Sequence, residues 1–331
     1  MLVKTILDAG GSIVPLIVPS ELTEGTGLCN PSVLVDGDRI LVNIRHVKYS
    51  LYHSEFDSKF VSRWGPLTYM HPEDDLTLRT VNYLAEFTHD LKLNWLHQID
   101  TSKLDVPPVW TFIGLEDGRL VKWEDKFYLI GVRRDTKQDG EGRMEYSELE
   151  ISETGVKEIS RARIEPPNHS YCEKNWMPVF NQPHHFVKWS NPTEVVKADP
   201  ETKSSQTVFK AETQLNLPRD LRGSSQVVHI NGFNIAITHE TDFWYNEYNC
   251  KNAKYYHRFV VWDADWKIVT LTKPFKFMDG WIEFCTGMDI VGDSILITFG
   301  FQDNTAYLLK APIQTIVDFI NNEQDISGVN K

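Results

Sequence analysis

The stretch GLEDGRLVKWEDKFYLIGVRRD, residues 114–135, is the most informative part of this 331-residue chain. Two apolar runs flank the polar turn Glu124–Lys126, which is the pattern of a β-hairpin. The first run opens on Glu116, Asp117 and Arg119, although charged residues and glycine are depleted from strands. We therefore interpret the stretch as a hairpin whose opening serves a site that handles a proton and an anion.

The same unit, a polar opening followed by two apolar strands, recurs along the chain. Copies open near residues 30, 114, 173, 222 and 282, and some turn at hairpin dipeptides such as Asp36-Gly37 and Asn231-Gly232. Further strand-like segments follow each copy. Five hairpin-led units predict an all-β fold, a five-bladed β-propeller formed by one domain over residues 1–331.

One segment has helical periodicity. In residues 311–321 the apolar side chains Ile313, Ile316, Val317 and Ile320 share a face, which predicts a short C-terminal helix. A two-sheet sandwich is the alternative architecture. It explains the richness in strands but not the polar residues that open every unit.

Composition excludes several classes of function. A formal net charge of −12 argues against a nucleic-acid partner, because proteins that track phosphate backbones are usually basic. The four cysteines form no CxxC pair, and the histidines show no HExxH spacing, so we predict no metal site and no cofactor. No run approaches the length of a membrane span or a signal peptide, so we expect a cytoplasmic protein.

The polar openings are expected to meet in one place. In a propeller the innermost strand of each blade lines the central channel, so residues that open the blades converge there. Because neighbouring strand residues face opposite ways, only one of Glu116 and Asp117 is expected to point into the channel. The alternative interpretation is a set of solvated turn residues. The residues at the openings are Asn30, Glu116, Asp117, Arg119, Glu173, Lys174, Asn175, Arg222 and Glu283.

This mixture of carboxylates, cations and histidines suits glycosyl transfer. A departing glycosidic oxygen needs a proton, and an oxocarbenium-like transition state needs nearby negative charge. Arginine and lysine suit a phosphate or a nucleotide diphosphate. We therefore predict an anion subsite formed by Arg45, Arg119, Arg134 and Lys174, and we expect sugar contacts from Asn30, Glu116, Asn175 and Glu283.

Five motifs in this order resemble family 130 of the glycoside hydrolases, and more closely its glycosyltransferase-like relatives. The motifs are residues 114–120, 173–178, 184–186, 255–263 and 299–306. The resemblance implies a five-bladed β-propeller from a family of inverting mannoside phosphorylases that includes some hydrolases. Related mannosyltransferases share that scaffold.

The resemblance also implies roles for individual residues. Asp117 stands where the family has the acid that protonates the glycosidic oxygen, with Gly118 in place of the common proline. Asp303 matches an acidic residue near the sugar. The residues matching an anion-binding role are Lys174, His185 (or His184), Tyr256 and His257.

We accordingly expect an inverting glycosyltransferase or glycoside phosphorylase that moves a hexosyl unit, with mannosyl as the expected sugar. Its partners would be a carbohydrate and inorganic phosphate, a sugar phosphate or a sugar nucleotide. One catalytic carboxylate is enough if phosphate is the nucleophile. Two alternatives stay open: a hydrolase, which needs a second carboxylate to activate water, and a non-catalytic glycan-binding propeller, which has no need of Asp117.

Overall fold

The computed structural model describes residues 1–51, 69–70, 77–245 and 251–325. The chain starts with helix α1 (Leu2–Asp8), strand β1 (Ser12–Leu16) and helix α2 (Ser20–Thr23). Blade 1 follows and comprises β2 (Leu28–Asp36), β3 (Arg39–Val47), β6 (Leu78–Phe87) and β7 (Leu93–Asp100). Between β3 and β6, the short strands β4 (Ser50–Leu51) and β5 (Tyr69–Met70) pair with each other. Strand β8 (Phe112–Ile113) pairs in parallel with β6.

The remaining blades repeat this order. Blade 2 comprises β9 (Glu116–Trp123), β10 (Lys126–Arg133), β11 (Arg143–Ser152) and β12 (Gly155–Arg163). Blade 3 comprises β13 (Met177–Pro178), β14 (His185–Ser190), β15 (Thr193–Asp199) and β16 (Ser204–Lys210). Blade 4 comprises β17 (Arg222–Gly223), β18 (Val228–Ile230), β19 (Phe233–Tyr245), β20 (Lys251–Trp262) and β21 (Ile268–Leu271). Blade 5 comprises β22 (Glu283–Val291), β23 (Ser294–Phe301) and β24 (Thr305–Pro312), and helix α3 (Ile313–Asn322) follows it.

The N-terminal strand closes the ring. Strand β1 pairs with β24 and becomes the outermost strand of blade 5, so the first and last strands of the chain share one sheet. Blades 1 and 2 are also joined at their outer edges, where β7 and β12 pair in parallel over two residues. The predicted five-bladed β-propeller with a short C-terminal helix is therefore confirmed, and the sandwich is excluded. A single domain over all 331 residues stays a prediction.

The hydrophobic core lies between the blades. One cluster fills each junction: Leu34 and Leu120 between blades 1 and 2, Trp123 and Phe186 between blades 2 and 3. The junctions between blades 3 and 4 and between blades 5 and 1 are filled in the same way. The cluster between blades 4 and 5 also takes in one face of α3, through Ile316 and other apolar side chains. Five filled junctions fix the blades around one axis.

A buried glutamine ties the innermost strands together at that axis. Gln226, between β17 and β18, donates through Nε2 to the carbonyls of Val33 at 2.9 Å and Leu120 at 3.0 Å. Its Oε1 accepts from the backbone N–H of Met288 at 2.9 Å. One side chain thus joins the innermost strands of blades 1, 2 and 5 to blade 4.

Bulges interrupt three innermost strands near their starts. The register shifts between Cys29 and Ser32 in β2, between Glu116 and Arg119 in β9, and between Cys285 and Gly287 in β22. Asn30 and Asp117 stand in two of these bulges with φ of 45° and 50°. Such φ values are strained for residues other than glycine, and bulges re-aim side chains beside functional sites. The backbone therefore directs these polar residues to the channel mouth.

Candidate active site

Asp117 lies at the mouth of the channel and is held by side chains of blade 1. Its Oδ1 accepts from Asn30 Nδ2 at 2.7 Å and from Arg45 Nη1 at 2.8 Å. Arg45 is buried and also donates to Thr80 Oγ1 and Tyr49 Oη. The carboxylate is thus fixed in position by a rigid, charged partner, as a group that works on a substrate must be.

Glu116 faces the same arginine. Its Oε2 lies 3.6 Å from Arg45 Nη2, while its other carboxylate oxygen is buried without a hydrogen bond among the described residues. The expectation that only one of Glu116 and Asp117 faces the channel is therefore wrong. It assumed regular alternation, and the bulge at Asp117 breaks that alternation.

The three carboxylates around Arg45 have different proton affinities. Burial favours the neutral form of Asp117, but the charges of Arg45 and Arg119 and the Asn30 hydrogen bond outweigh it and lower the pKa. Burial, opposed by Arg45, raises the pKa of Glu116. Burial and the charge of Asp117 raise the pKa of Asp303 to about 6, and the charge of Arg45 opposes this rise. Groups whose pKa values are pushed apart in one site are typical of acid–base chemistry.

Asp303 reaches this site from blade 5. It stands in the turn between β23 and β24 with φ of 50°, beside the backbone of Gly27. Its electrostatic partners are Arg45 and Asp117, so the structure brings Asp303 together with the residues of blades 1 and 2.

Arg119 lies beneath Asp117 and acts across the blades. It donates to the carbonyls of Asp117 and Ser224 and, at 3.4 Å, to Asn175 Oδ1. Its guanidinium lies 5.8 Å from the centroid of the Phe284 ring. The structure thus places Arg119 and Asn175 at the site, where the arginine joins blades 2, 3 and 4 and orients the Asp117 backbone.

A cationic wall continues from Asn175 toward blade 4. Lys174 is exposed and acts electrostatically on Glu116 and Asp117. It shares a cavity of about 370 Å³ with His169, Lys188 and Arg222. Among the described residues Lys188 is paired with Glu173, whereas Lys174 and Arg222 have no ion pair. This wall can receive an anion.

Arg134, directly after β10, is held between two aromatic rings. Its guanidinium packs against Phe112 and Tyr171, at 5.0 and 5.6 Å from the ring centroids, and donates to the Gly140 carbonyl. Its charge acts on Glu116. The structure therefore places Arg134 beside the site, on the side of blade 2.

His185 and His184 are not brought to this site. His184 Nε2 lies 3.8 Å from the carboxylate of Glu124, in the turn at the far end of β9 from Asp117. The ring of His185 is hydrogen-bonded to the Pro183 carbonyl. The predicted anion-binding role of His185 is therefore corrected, because His184, in the turn before β14, and His185, at the start of β14, lie where the inner strands end rather than where they start.

Tyr256 and His257 also differ from expectation. Tyr256 lies under Arg219, whose guanidinium is 4.9 Å from the ring centroid. His257 is fully buried against Phe277, and burial lowers its pKa to about 3, so it is neutral and cannot attract an anion. Tyr256 thus packs against cations of blade 4, and His257 lies in the core.

The residues on the site's side of blade 4 are instead Tyr255 and His239, which were noted in the sequence but not included among the predicted site residues. Their rings stack with centroids 5.6 Å apart, and His239 lies against Phe284. Burial, followed by the charges of Asp303 and Asp117, raises the pKa of Tyr255, so the phenol lies within electrostatic reach of these carboxylates. Alternation along β20 puts Tyr255 and Tyr256 on opposite faces, so a one-residue difference decides which ring reaches the site.

Glu283 is a structural carboxylate. Its two oxygens accept from the backbone N–H groups of Phe277, Met278 and Gly280 at 2.7–3.1 Å. The side chain is fully buried at the junction before blade 5. Its predicted sugar contact is corrected, because the backbone amides already use both oxygens.

Within the part of the chain that the structure describes, no group of three His, Cys, Asp or Glu side chains is arranged to hold a metal ion. No helix among those same residues has the length and apolarity to cross a membrane.

Comparisons with known proteins rest on the fold. No protein-family model matches the chain, and no curated protein matches it in sequence. Among solved structures, a β-1,2-mannobiose phosphorylase from Listeria innocua bound to β-1,2-mannobiose aligns with a TM-score of 0.56 at 12% identity, covering 94% of this chain and 100% of that one. The mannose phosphorylase MPT-4 from Leishmania mexicana, bound to phosphate, aligns with a TM-score of 0.51 at 11% identity, covering 96% and 93%.

A third structure, with a TM-score of 0.52 at 11% identity and coverage of 87% and 85%, represents glycoside hydrolase family 130. That family is described there as mannoside phosphorylases containing hydrolases that target β-1,2 mannosidic linkages in Candida mannan. These alignments cover nearly the whole propeller. The chain therefore has the five-bladed β-propeller fold of glycoside hydrolase family 130.

Proposed function

We propose that this chain is an enzyme that transfers a mannosyl group, with inversion, between a glycan and phosphate at the channel mouth. The observation that carries this function is Asp117, a carboxylate fixed by Asn30 and Arg45 on an innermost strand with cations on both sides. The structural similarity to phosphorylases of mannosides supports the sugar and the phosphate.

The proposed step balances with one catalytic carboxylate. A phosphate oxygen attacks the anomeric carbon from the face opposite the glycosidic bond, and that bond breaks. The proton of Asp117 passes to the departing oxygen, and the bond electrons leave with it. The products are a sugar 1-phosphate of inverted configuration and a free hydroxyl, and the proton carried by phosphate restores Asp117. General acid help of this kind contributes typically about 10²–10⁴-fold.

The low pKa of Asp117 in the free protein fits this step only with phosphate bound. Burial opposes ionisation, but Arg45 and Arg119 keep the carboxylate charged. Lys174 also lowers the pKa of Asp117, so a phosphate bound at Lys174 would offset part of this cationic charge, and a nearby anion raises the pKa of a carboxyl group. Binding of the nucleophile would thus prepare Asp117 to hold the proton that it donates.

Lys174 and Arg222 are the cations that we assign to phosphate. Changing Lys174 to Ala is expected to weaken phosphate binding by about tenfold, because hydrogen bonds to charged groups are worth roughly 1.5–3 kcal/mol. The thermal midpoint should stay the same, since the side chain is exposed. Calorimetric titration with inorganic phosphate measures this, with Lys210→Ala on blade 3 as an exposed control. Equal phosphate affinity in both variants would remove Lys174 from the subsite.

A hydrolase is the second candidate function, because it needs a second carboxylate and Asp303 is in electrostatic contact with Asp117. In a phosphorylase we expect Asp303 to accept hydrogen bonds from sugar hydroxyls when ionised. Burial, partly opposed by Arg45, puts its pKa at about 6, so sugar affinity should fall as the pH drops below 6. Asp303→Asn should raise KM, leave residual turnover and remove this pH dependence.

Measuring KM and kcat between pH 5 and 8 for both proteins separates the two candidates. Loss of all turnover in Asp303→Asn, with rescue of cleavage by added azide, would instead identify Asp303 as the base of a hydrolase.

A substrate screen tests the proposed function as a whole. The protein is incubated with mannose 1-phosphate, with other hexose 1-phosphates and with sugar nucleotides, each with sugar acceptors, and release of phosphate or nucleotide is measured. Phosphate release from mannose 1-phosphate is expected. Nucleotide release would identify a glycosyltransferase, and sugar binding without any release would indicate a glycan-binding protein.

A further inference from the structure

Blade 4 carries a ribbon that rises from the candidate active site. Strands β19 and β20 are paired from Asn234↔Trp262 to Tyr245↔Lys251, and they are the longest strands of the described chain. The hairpin begins deep in the propeller and continues past His239, which lies in the site. It therefore forms a wall beside the channel mouth.

One face of this wall is aromatic. His239, Thr241, Phe243 and Tyr245 alternate along β19 and so share a face. Exposure increases along it, from 3% for His239 to 44% for Phe243 and 66% for Tyr245. The aromatic face is thus continuous with the site at its lower end and open to solvent at its upper end.

A cation connects the aromatic face to the anion wall. The guanidinium of Arg222 lies 5.9 Å from the centroid of the Phe243 ring, within cation–π range. Arg222 also lines the cavity that contains Lys174. A ligand leaving the channel on this side would therefore meet hydrogen-bond donors first and aromatic rings next.

Distance restricts what such a ligand can be. A strand rises about 3.4 Å per residue, so Tyr245 lies about 20 Å beyond His239 along β19. A single sugar reacting at Asp117 is too short to touch both. A chain of several sugars is long enough, and the apolar faces of its rings can stack on exposed aromatic side chains that also offer polar groups.

We propose that Phe243 and Tyr245 form a stacking subsite for the acceptor part of an oligosaccharide whose reacting end lies at Asp117. This inference rests on the proposed function and adds that the substrate range extends from disaccharides to oligosaccharides. Arg222, which we assign to phosphate, would mark the boundary between the anion wall and this subsite.

Trp244 provides a matched control on the same hairpin. It lies between the two proposed residues, but alternation turns its ring to the opposite face, where it packs 5.3 Å from the centroid of Trp281. Trp244→Ala removes an aromatic ring from the ribbon without touching the proposed subsite.

The test measures binding in an Asp117→Asn background, where the ligand is not consumed. Calorimetric affinities for β-1,2-mannobiose and β-1,2-mannotetraose are compared among Asp117→Asn alone, the same with Phe243→Ala and Tyr245→Ala, and the same with Trp244→Ala. Two lost stacking contacts should weaken tetrasaccharide binding by about tenfold or more. Disaccharide binding should stay within about twofold, and Trp244→Ala should change neither affinity.

Equal affinities of all three proteins for the tetrasaccharide, or equal weakening for both ligands, would overturn the subsite. A nucleoside monophosphate is titrated as a third ligand, and a double variant that loses affinity only for it would also overturn the subsite, because the rings would then stack on a base. Failure of the proposed function looks different: the protein with Asp117 intact would turn over neither mannoside with phosphate, whatever the binding results.

Discussion

Replacing Asp117 with Asn is expected to lower kcat by about 10²–10⁴-fold, the usual contribution of a general acid. The amide keeps the shape of the side chain and can still accept from Asn30 and Arg45, but it cannot supply a proton. Because Glu116 also faces Arg45, the arginine keeps a charged partner in the variant. The fold should therefore survive while turnover is lost.

Steady-state kinetics on a confirmed substrate measures this loss, and circular dichroism checks the fold. Glu148→Gln is a suitable control, since Glu148 lies on blade 2 in a cleft with Glu124, at the far end of β9 from Asp117. Near-normal turnover by Asp117→Asn would contradict the assignment. An equal loss of turnover in the control would show that the effect is not specific to Asp117.

Replacing Gln226 with Leu is expected to lower the free energy of unfolding by about 4 kcal/mol. The change leaves the carbonyls of Val33 and Leu120 and the N–H of Met288 buried without partners, and each unsatisfied group costs roughly 1–3 kcal/mol. Chemical denaturation measures the effect, with Gln206→Leu on the exposed edge of blade 3 as the control. An unchanged midpoint would mean that the innermost strands are held by other contacts.

The architecture could be predicted because each blade begins with a pattern that is visible within a short stretch of sequence. The pattern is a polar opening followed by two apolar strands and a turn with glycine, as at Asp36-Gly37 and Asn231-Gly232. It can be recognised from residues that are adjacent in the sequence. Convergence of the openings then follows from propeller geometry, and it correctly grouped Asn30, Asp117 and Asn175. The part of the candidate site that depends on fold alone was therefore accessible from the sequence.

The misplaced residues depend on details that local patterns do not contain. Glu283 looks like the other openings, but a turn that folds back over it provides three amides. Tyr256 was chosen instead of Tyr255 because the sequence does not show which of two adjacent strand residues faces the site. The bulge at Asp117 reverses the facing of Glu116 and is visible only in the pairing with β10. His185 begins β14 at the end of blade 3 that is far from the site, and the innermost strand of that blade is only two residues long.

The most direct measurement of the central claim is the product formed from β-1,2-mannobiose and inorganic phosphate. Proton and phosphorus NMR spectra recorded during the reaction distinguish sugar 1-phosphate from free sugar and give its anomeric configuration. Inverting phosphorolysis at Asp117 predicts α-mannose 1-phosphate and free mannose in equal amounts, formed only when phosphate is present. Mannose formed without α-mannose 1-phosphate at a rate independent of phosphate, or no cleavage at any phosphate concentration, would contradict the account.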